Sequence, residues 1–285
     1  SGTFANVYLG QCKSTRTRVA MKVCKKNALH NNMRTKHGTN YFEEMKTLRM
    51  AKGHPNIVKY YEMAETEKCI YIMMQYADGG DLFEYFNKHS RLPELKAKYI
   101  IFQILHGIKH LHDLNIIHRD LKPENILLVK EEAYPRILIS DFGMARFLQH
   151  DDIYQQTMCG TQHYLAPDVL LRKSSMRAEG YGKEVDMWSV GVILYILLSA
   201  TVPYCAEKEG PEALLMHILT EDLTFPEDDW RGISDAAKHF IMHLLDLNRK
   251  TRYTVHQALE HPWIKSDEHD MRHRFSNDLN TQSTP

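Results

Sequence analysis

Apolar positions along the chain fall into two textures. Over residues 4–24 and 57–76, Val, Ile, Tyr and Met recur with partial alternation, the period-two pattern of half-buried strands. The predicted strand segments are 7–8, 18–23, 58–62 and 70–75. Between them, 39–51 places Phe42, Met45, Leu48 and Met50 at spacings that suit one helix. After Ala77-Asp78-Gly79-Gly80 the texture changes. Residues 94–114 set Ile101, Ile104, Leu105, Ile108 and Leu111 at helical spacing, and short strand-like runs follow at 126–129 and 137–139. Helical patterns resume at 185–199, 213–220, 234–245 and 254–259. From Ser266 the chain is polar and ends in Asn-Thr-Gln-Ser-Thr-Pro, which predicts a frayed end. The pattern predicts an α+β chain in three parts: a small sheet with one packed helix (1–76), a larger helical part (77–265) and a polar tail (266–285).

Composition narrows the field. The 285 residues are enough to bury a sizeable core. Lys plus Arg (36) balances Asp plus Glu (36), so no global charge points to nucleic acid or an anionic membrane as partner. The longest apolar stretch, 190–200, is too short to span a bilayer. Five scattered cysteines, odd in number and never spaced CxxC, argue against a disulfide framework or zinc site and favour a reducing intracellular setting.

Candidate chemistry lies in motifs that occur in a fixed order. Ser1-Gly2-Thr3-Phe4-Ala5-Asn6-Val7 opens the chain; alone it reads equally well as a turn between strands. Val19-Ala20-Met21-Lys22 ends an apolar strand on a lysine. Glu44, Met45 and Leu48 put a carboxylate on the following helix, with Glu43 as its rival. His118-Arg119-Asp120-Leu121-Lys122-Pro123-Glu124-Asn125 is the most specific motif. In it, Asp120 can accept a hydroxyl proton, Lys122 can neutralise transferred phosphoryl charge, and Asn125 offers a neutral oxygen to a hard cation. Asp141-Phe142-Gly143 follows across a predicted hairpin, then Thr161, Ala166-Pro167-Asp168 and Asp186.

This series resembles the signature of the eukaryotic protein kinase family from Gly2 to about Ile264. The first glycine of the Gly-rich loop would lie just before Ser1, so the chain reads as a piece of a longer protein, and Ala5 replaces the third. The resemblance implies a bilobal fold, a small β-rich N-lobe with one main helix and a larger helical C-lobe, with ATP and Mg²⁺ between them. It implies that Lys22 grips the α- and β-phosphates, held by Glu44, and that Asn125 and Asp141 hold Mg²⁺. Val7, Ala20 and Leu127 would sandwich the adenine, with Met74 as gatekeeper and Gln75 to Ala77 as hinge. Asp81 would reach the ribose or a basic substrate residue. Asp168 stands one methylene shorter than the usual Glu, with Arg252 as its expected partner, and Asp186 would hold the catalytic-loop backbone.

Lys122 in its motif, with Gly160-Thr161, resembles a serine/threonine kinase. Gly79-Gly80-Asp81-Leu82-Phe83, residues 186–198 and His261-Pro262-Trp263 resemble the calmodulin-dependent-kinase-like group. Thr157-Met158-Cys159-Gly160-Thr161, Tyr164-Leu165-Ala166-Pro167, the 171–182 insert and Asp270-Met271-Arg272-His273-Arg274-Phe275 are similar to the forkhead-associated-domain checkpoint kinases. That resemblance implies DNA-damage or meiotic checkpoint signalling in the nucleus, and a homodimer through the activation segment. An acidic edge of Asp81, Glu84 and Glu124 predicts protein substrates with upstream basic residues. Thr157 is the expected activating phosphosite, pairing with Arg119, and Thr161 a second one. A calmodulin-regulated kinase and a pseudokinase scaffold are the alternatives; the tail offers no basic amphipathic helix for the first, and Lys22, Asp120, Asn125 and Asp141 are intact against the second.

Overall fold

The computed structural model describes residues 5–26, 41–147, 162–171, 182–205 and 210–281. Strands β1 (Ala5–Gln11) and β2 (Arg18–Lys25) form an antiparallel hairpin whose turn needs Arg16 in the left-handed region, φ 61. Helix α1 (Tyr41–Met50) follows and turns Glu44, Met45 and Leu48 inward. Strands β3 (Tyr60–Glu65) and β4 (Cys69–Gln75) complete a sheet of order β1-β2-β4-β3, antiparallel throughout. The predicted third strand, 58–62, begins two residues late. Ile57 and Val58 bond instead to the C-lobe, where Val58 N donates to the Ile139 carbonyl at 3.0 Å.

The C-lobe opens with a helix absent from the predicted elements, α2 (Leu82–His89). Leu82, Phe83, Tyr85 and Phe86 do fall at helical spacing, but a run this short does not by itself separate helix from strand. Its start is fixed by Asp81, whose carboxylate accepts the Glu84 N–H at 2.8 Å as an N-cap. Helix α3 (Glu94–Asp113) then leads to β5 (Ile116–Ile117), β6 (Ile126–Leu128), β7 (Ile137–Ile139) and β8 (Arg146–Phe147), paired β5–β8 and β6–β7. Gly107 of α3 admits this hairpin: a Cβ there would lie 2.6 Å from Ile139 Cδ1.

After α4 (Pro167–Leu171), helix α5 (Glu184–Ser199) runs through the lobe with every residue from Val185 to Ser199 buried. A helix apolar all round has no solvent face and becomes the pillar on which others pack. Helices α3 and α8 (Asp235–Leu244) lie against it. Each fully buried Leu, Ile or Val here contributes roughly 1.5–3 kcal/mol. Helices α6 (Pro211–Thr220), α7 (Glu227–Trp230), α9 (Val255–Glu260) and α10 (Pro262–Lys265) fill the remaining sides. No helix among the described residues is long and apolar enough to cross a membrane.

The expected frayed end is corrected. Residues Glu268–Thr281 form helix α11, docked on α3. Met271 is buried, the Tyr99 hydroxyl donates to Asp278 at 2.7 Å, Arg274 lies 4.5 Å from the centroid of Tyr134, and Lys98 pairs with Asp267. The attachment is a narrow apolar edge, Met271 with Phe275 packed against the core one turn on, joined by polar and cation–π tethers; in so polar a segment that edge is too thin to stand out as a helix.

Candidate active site

Residues directly opposite on neighbouring strands point to the same face of a sheet, as do alternate residues of one strand. Register sets Lys22 opposite Val7 and Ile72, and Ala20 opposite Leu9 and Met74. Val7, Ala20, Lys22 and Met74 therefore share one face. That face meets the C-lobe, because Lys22 Nζ reaches across to Asp141 Oδ1 at 3.1 Å while also donating to Glu44 Oε1 at 2.6 Å. Glu44 is thus the helix partner; the rival Glu43 has its side chain outside the described residues. Burial alone would lower the Lys22 ammonium, but the facing Glu44 and Asp141 carboxylates outweigh it and hold it well above its ordinary value. Burial likewise pushes Asp141 up, yet Lys22 prevails and keeps that carboxyl below its usual range.

Asp141 sits where β7 ends. Ser140 N donates to the Asn125 carbonyl at 2.9 Å, so the hairpin ladder brings the Asp141 and Asn125 segments side by side. Asp141 is in the left-handed region, φ 58, and Arg119 likewise at φ 71. Such conformations cost roughly 1–3 kcal/mol each and persist only where the surroundings enforce them. The enforcing group on the Arg119 side is Asp186, fully buried near the start of α5. Its carboxylate accepts Arg119 N at 2.8 Å, His118 N at 3.0 Å and the His112 ring at 2.8 Å. Burial would raise the Asp186 carboxyl, but these donors hold it below its ordinary value.

Within the loop, Lys122 Nζ lies 2.9 Å and 3.2 Å from the two oxygens of Asp120. Asn125 Nδ2 donates to the Asp120 carbonyl at 2.7 Å and to its Oδ2 at 2.9 Å. This turns the Asn125 Oδ1 away from Asp120. Among the described residues no hydrogen bond reaches that Oδ1 or the Oδ2 of Asp141, which leaves two oxygens for a hard cation. One carboxylate and one amide are too few for a cage of protein ligands, and suit a Mg²⁺ completed by phosphate oxygens and water.

The remaining expected residues divide in two. Val7 is 59% exposed on β1, Leu127 is half-buried on β6 and bridged to Asp81, and Met74 packs against the core at the end of β4. Gln75 N donates to the Lys59 carbonyl and Ala77 is half-buried in the hinge. Burial lifts the Asp81 carboxyl above its usual range, against the Glu84 amide, and the Glu84 and Glu124 charges add to it. Arg252 meets the shortened Asp168 at 2.8 Å and stacks 5.0 Å from the Trp188 centroid, so the shorter acid still closes that pair. Gly2, Thr157, Cys159, Thr161 and most of the 171–182 insert lie outside the described residues, as does the dimer contact expected there.

Two contributors escaped the motif reading. His112 is the next-to-last residue of α3 and carries no sequence signal beyond being a histidine. Asn56, fully buried, donates to Gln103 at 3.2 Å and to the Ile137 carbonyl at 3.0 Å, tying the segment after α1 to the strand that leads into Asp141.

An ammonium gripped from both lobes, facing a loop where a carboxylate and a lysine converge, is the equipment of a phosphotransferase that works in a cleft. The chain belongs to the protein kinase family: residues 1–264 match the model described as protein kinase domain. Myosin light chain kinase A of Dictyostelium discoideum is 39% identical over 269 residues, 93% of this chain and 85% of that protein. The probable serine/threonine-protein kinase fhkC of the same organism is 36% identical, covering 98% of this chain and 45% of its own length. Calcium/calmodulin-dependent protein kinase type 1 of Macrobrachium nipponense is 37% identical, covering 94% and 73%. The chain thus spans most of two of these relatives and under half of the third. It is a serine/threonine protein kinase domain, and its family uses ATP and Mg²⁺.

Proposed function

We propose that this domain is catalytically competent and transfers the ATP γ-phosphoryl group to Ser or Thr hydroxyls of proteins that carry basic residues upstream of the target. The observation that carries the reading is the Lys22–Glu44 pair, which kinase activity requires, formed with Asp141 brought to the same point of the cleft. In it, Lys22 grips the α- and β-phosphates. Asp120 orients the substrate hydroxyl and takes its proton, and Lys122 offsets charge on the phosphoryl in flight. Asn125 and Asp141 would hold Mg²⁺, which neutralises phosphate charge when bound. Val7, Ala20 and Leu127 would enclose the adenine, with Met74 as gatekeeper, Gln75 to Ala77 as hinge and Gly2 near the phosphates.

The basic preference is supported by the mutual charge of Asp81, Glu84 and Glu124, and is a carboxylate-to-guanidinium recognition. Activation is proposed to run through a phosphate on Thr157 pairing with Arg119, next to Asp120, with Thr161 as a second site. The checkpoint-kinase resemblance supports a nuclear DNA-damage or meiotic role and exchange of the activation segment in a homodimer. The proposed division is N-lobe 1–76, C-lobe 77–265 and tail 266–285. Calmodulin regulation is the second reading, favoured by the name of the Macrobrachium relative. Against it, α11 holds Glu268, Asp270 and Asp278 against Arg272 and Arg274 and is not basic.

The test is radiolabel transfer from Mg-ATP to Ser/Thr peptides with and without Arg at upstream positions, using wild type and Asp120→Asn. Turnover should fall about 100-fold or more in the variant, within the range for positioning and general base effects. Near-wild-type turnover in Asp120→Asn removes the assignment of Asp120, and indifference to Arg removes the basic preference.

A further inference from the structure

The face of β2 that carries Lys22 and Ala20 also carries Arg18, by the same alternation. Arg18 makes the second crossing from this strand. Its two terminal nitrogens meet the two carboxylate oxygens of Asp78 at 3.2 Å and 3.0 Å, a parallel fork, and its guanidinium lies 4.9 Å from the Tyr76 ring centroid. Asp78 follows the hinge and moves with the C-lobe. Asp78 N donates to the Val129 carbonyl at 3.0 Å, Gly79 N to Leu128 at 3.0 Å, and Leu128 N back to Gly80 at 2.9 Å. Gly79 is pressed so close that a Cβ would lie 2.6 Å from the Lys130 carbonyl carbon. The hinge exit is therefore stapled to β6, the strand that carries Leu127 and follows Asn125.

One strand face thus spans the lobes twice. Lys22 crosses to Asp141 at the inner end, and Arg18 crosses to Asp78 at the rim, roughly 13 Å apart along β2. Two crossings fix an angle where one fixes only a distance. We propose that the Arg18–Asp78 fork is a rim latch that sets the angle between the lobes and slows nucleotide escape, making Arg18 and Asp78 positioning residues for the kinase reaction. The proposal rests on the reading of the cleft as an ATP site. Neither side chain supplies a group to the chemistry. The latch acts by holding β2, and with it Ala20 and Lys22, over the strand below. Both partners are about half exposed, where single ion pairs contribute little, so a forked and stacked pair is expected to change nucleotide release and KM by about threefold rather than by decades.

The experiment measures release of a fluorescent N-methylanthraniloyl ADP in Mg²⁺ by stopped flow, together with ATP KM and kcat. The proteins are wild type, Arg18→Ala, Asp78→Asn and the exchanged pair Arg18→Asp with Asp78→Arg. Each single variant should release ADP about threefold faster and show a raised ATP KM, with kcat within about twofold and an unchanged Tm. The exchanged pair should return towards wild type, and raised salt should speed release from wild type more than from Asp78→Asn. Unchanged release in the single variants, or an exchanged pair no better than Arg18→Ala, overturns the latch. Release of nucleotide is read without peptide turnover, so a protein that binds ADP yet fails to phosphorylate would count against the proposed function and leave the latch standing.

Discussion

The catalytic loop and the lysine joint lie at one site but are built on opposite principles. The loop from His118 to Asn125 is held inside one lobe: Asp186 beneath it accepts three donors, and Asp120, Lys122 and Asn125 bond to each other within five residues of sequence. The joint of Lys22, Glu44 and Asp141 draws on a strand, a helix and a distant loop, and exists only while the lobes sit in register. The loop is preorganised by the fold. The joint is conditional on the arrangement of the lobes, which makes it the part where regulation can act.

The largest test of that contrast is Asp186→Ala. It leaves two backbone N–H groups and a histidine without their buried acceptor. Stability should fall by about 3–5 kcal/mol in urea unfolding, and activity should be lost with it. Glu44→Gln comes next. It removes the charge that faces Lys22 but keeps the shape of α1, so kcat/KM should drop by about 10–100-fold with Tm nearly unchanged. If Asp186→Ala alters activity alone, or Glu44→Gln alters Tm alone, the two regions have been assigned the wrong way round.

Acid separates the segment that joins α1 to α3 from the catalytic loop. His54, in the stretch after α1, accepts Asn56 N at Nδ1 and stacks 5.0 Å from His110 of α3. Burial, followed by the charges of His110 and His106, pushes its pKa down to about 4. His106 is likewise pushed down to about 4, chiefly by burial. A histidine depressed in the folded state stabilises above its unfolded pKa of about 6.5, and that stability is lost as pH falls from there towards 4. Asp186 is depressed from a carboxylate value, so its contribution survives until pH falls below about 3.9. Stability should therefore decline between pH 6.5 and 4 in wild type and less in His54→Asn, while hydrogen exchange at His118 and Arg119 stays slow through that window. The smallest effect is expected from Tyr99→Phe, which removes the hydroxyl that donates to Asp278 of α11 and should cost about 0.5–1.5 kcal/mol without touching kcat.

The same contrast explains what the sequence made legible. The loop residues are adjacent in the chain, so His118 to Asn125 could be read as a unit, and Glu44 stood out over its rival Glu43 because Glu44, Met45 and Leu48 match the pattern of the family's helix. The strands of the sheet were visible because half-buried strands alternate. The crossings between lobes were not visible. Arg18 and Asp78 are 60 residues apart, and Asn56 meets Ile137 across 81, with nothing in either neighbourhood to announce the partner. Helix α11 failed to show for a different reason: its apolar edge, Met271 and Phe275, is thin and set among polar residues, and the rest of its anchoring is by charged and aromatic tethers that no hydrophobic period reports.

The distance in sequence between Lys22 and Asp141, 119 residues, also has a consequence for synthesis. At roughly 5–20 residues per second, Lys22 leaves the ribosome about 6–24 seconds before its second carboxylate exists. During that interval the nascent sheet and α1 can pair Lys22 with Glu44 alone. The buried half of the joint is therefore made first. The half that reaches across to the other lobe waits until Asp141 and the hairpin that presents it have emerged.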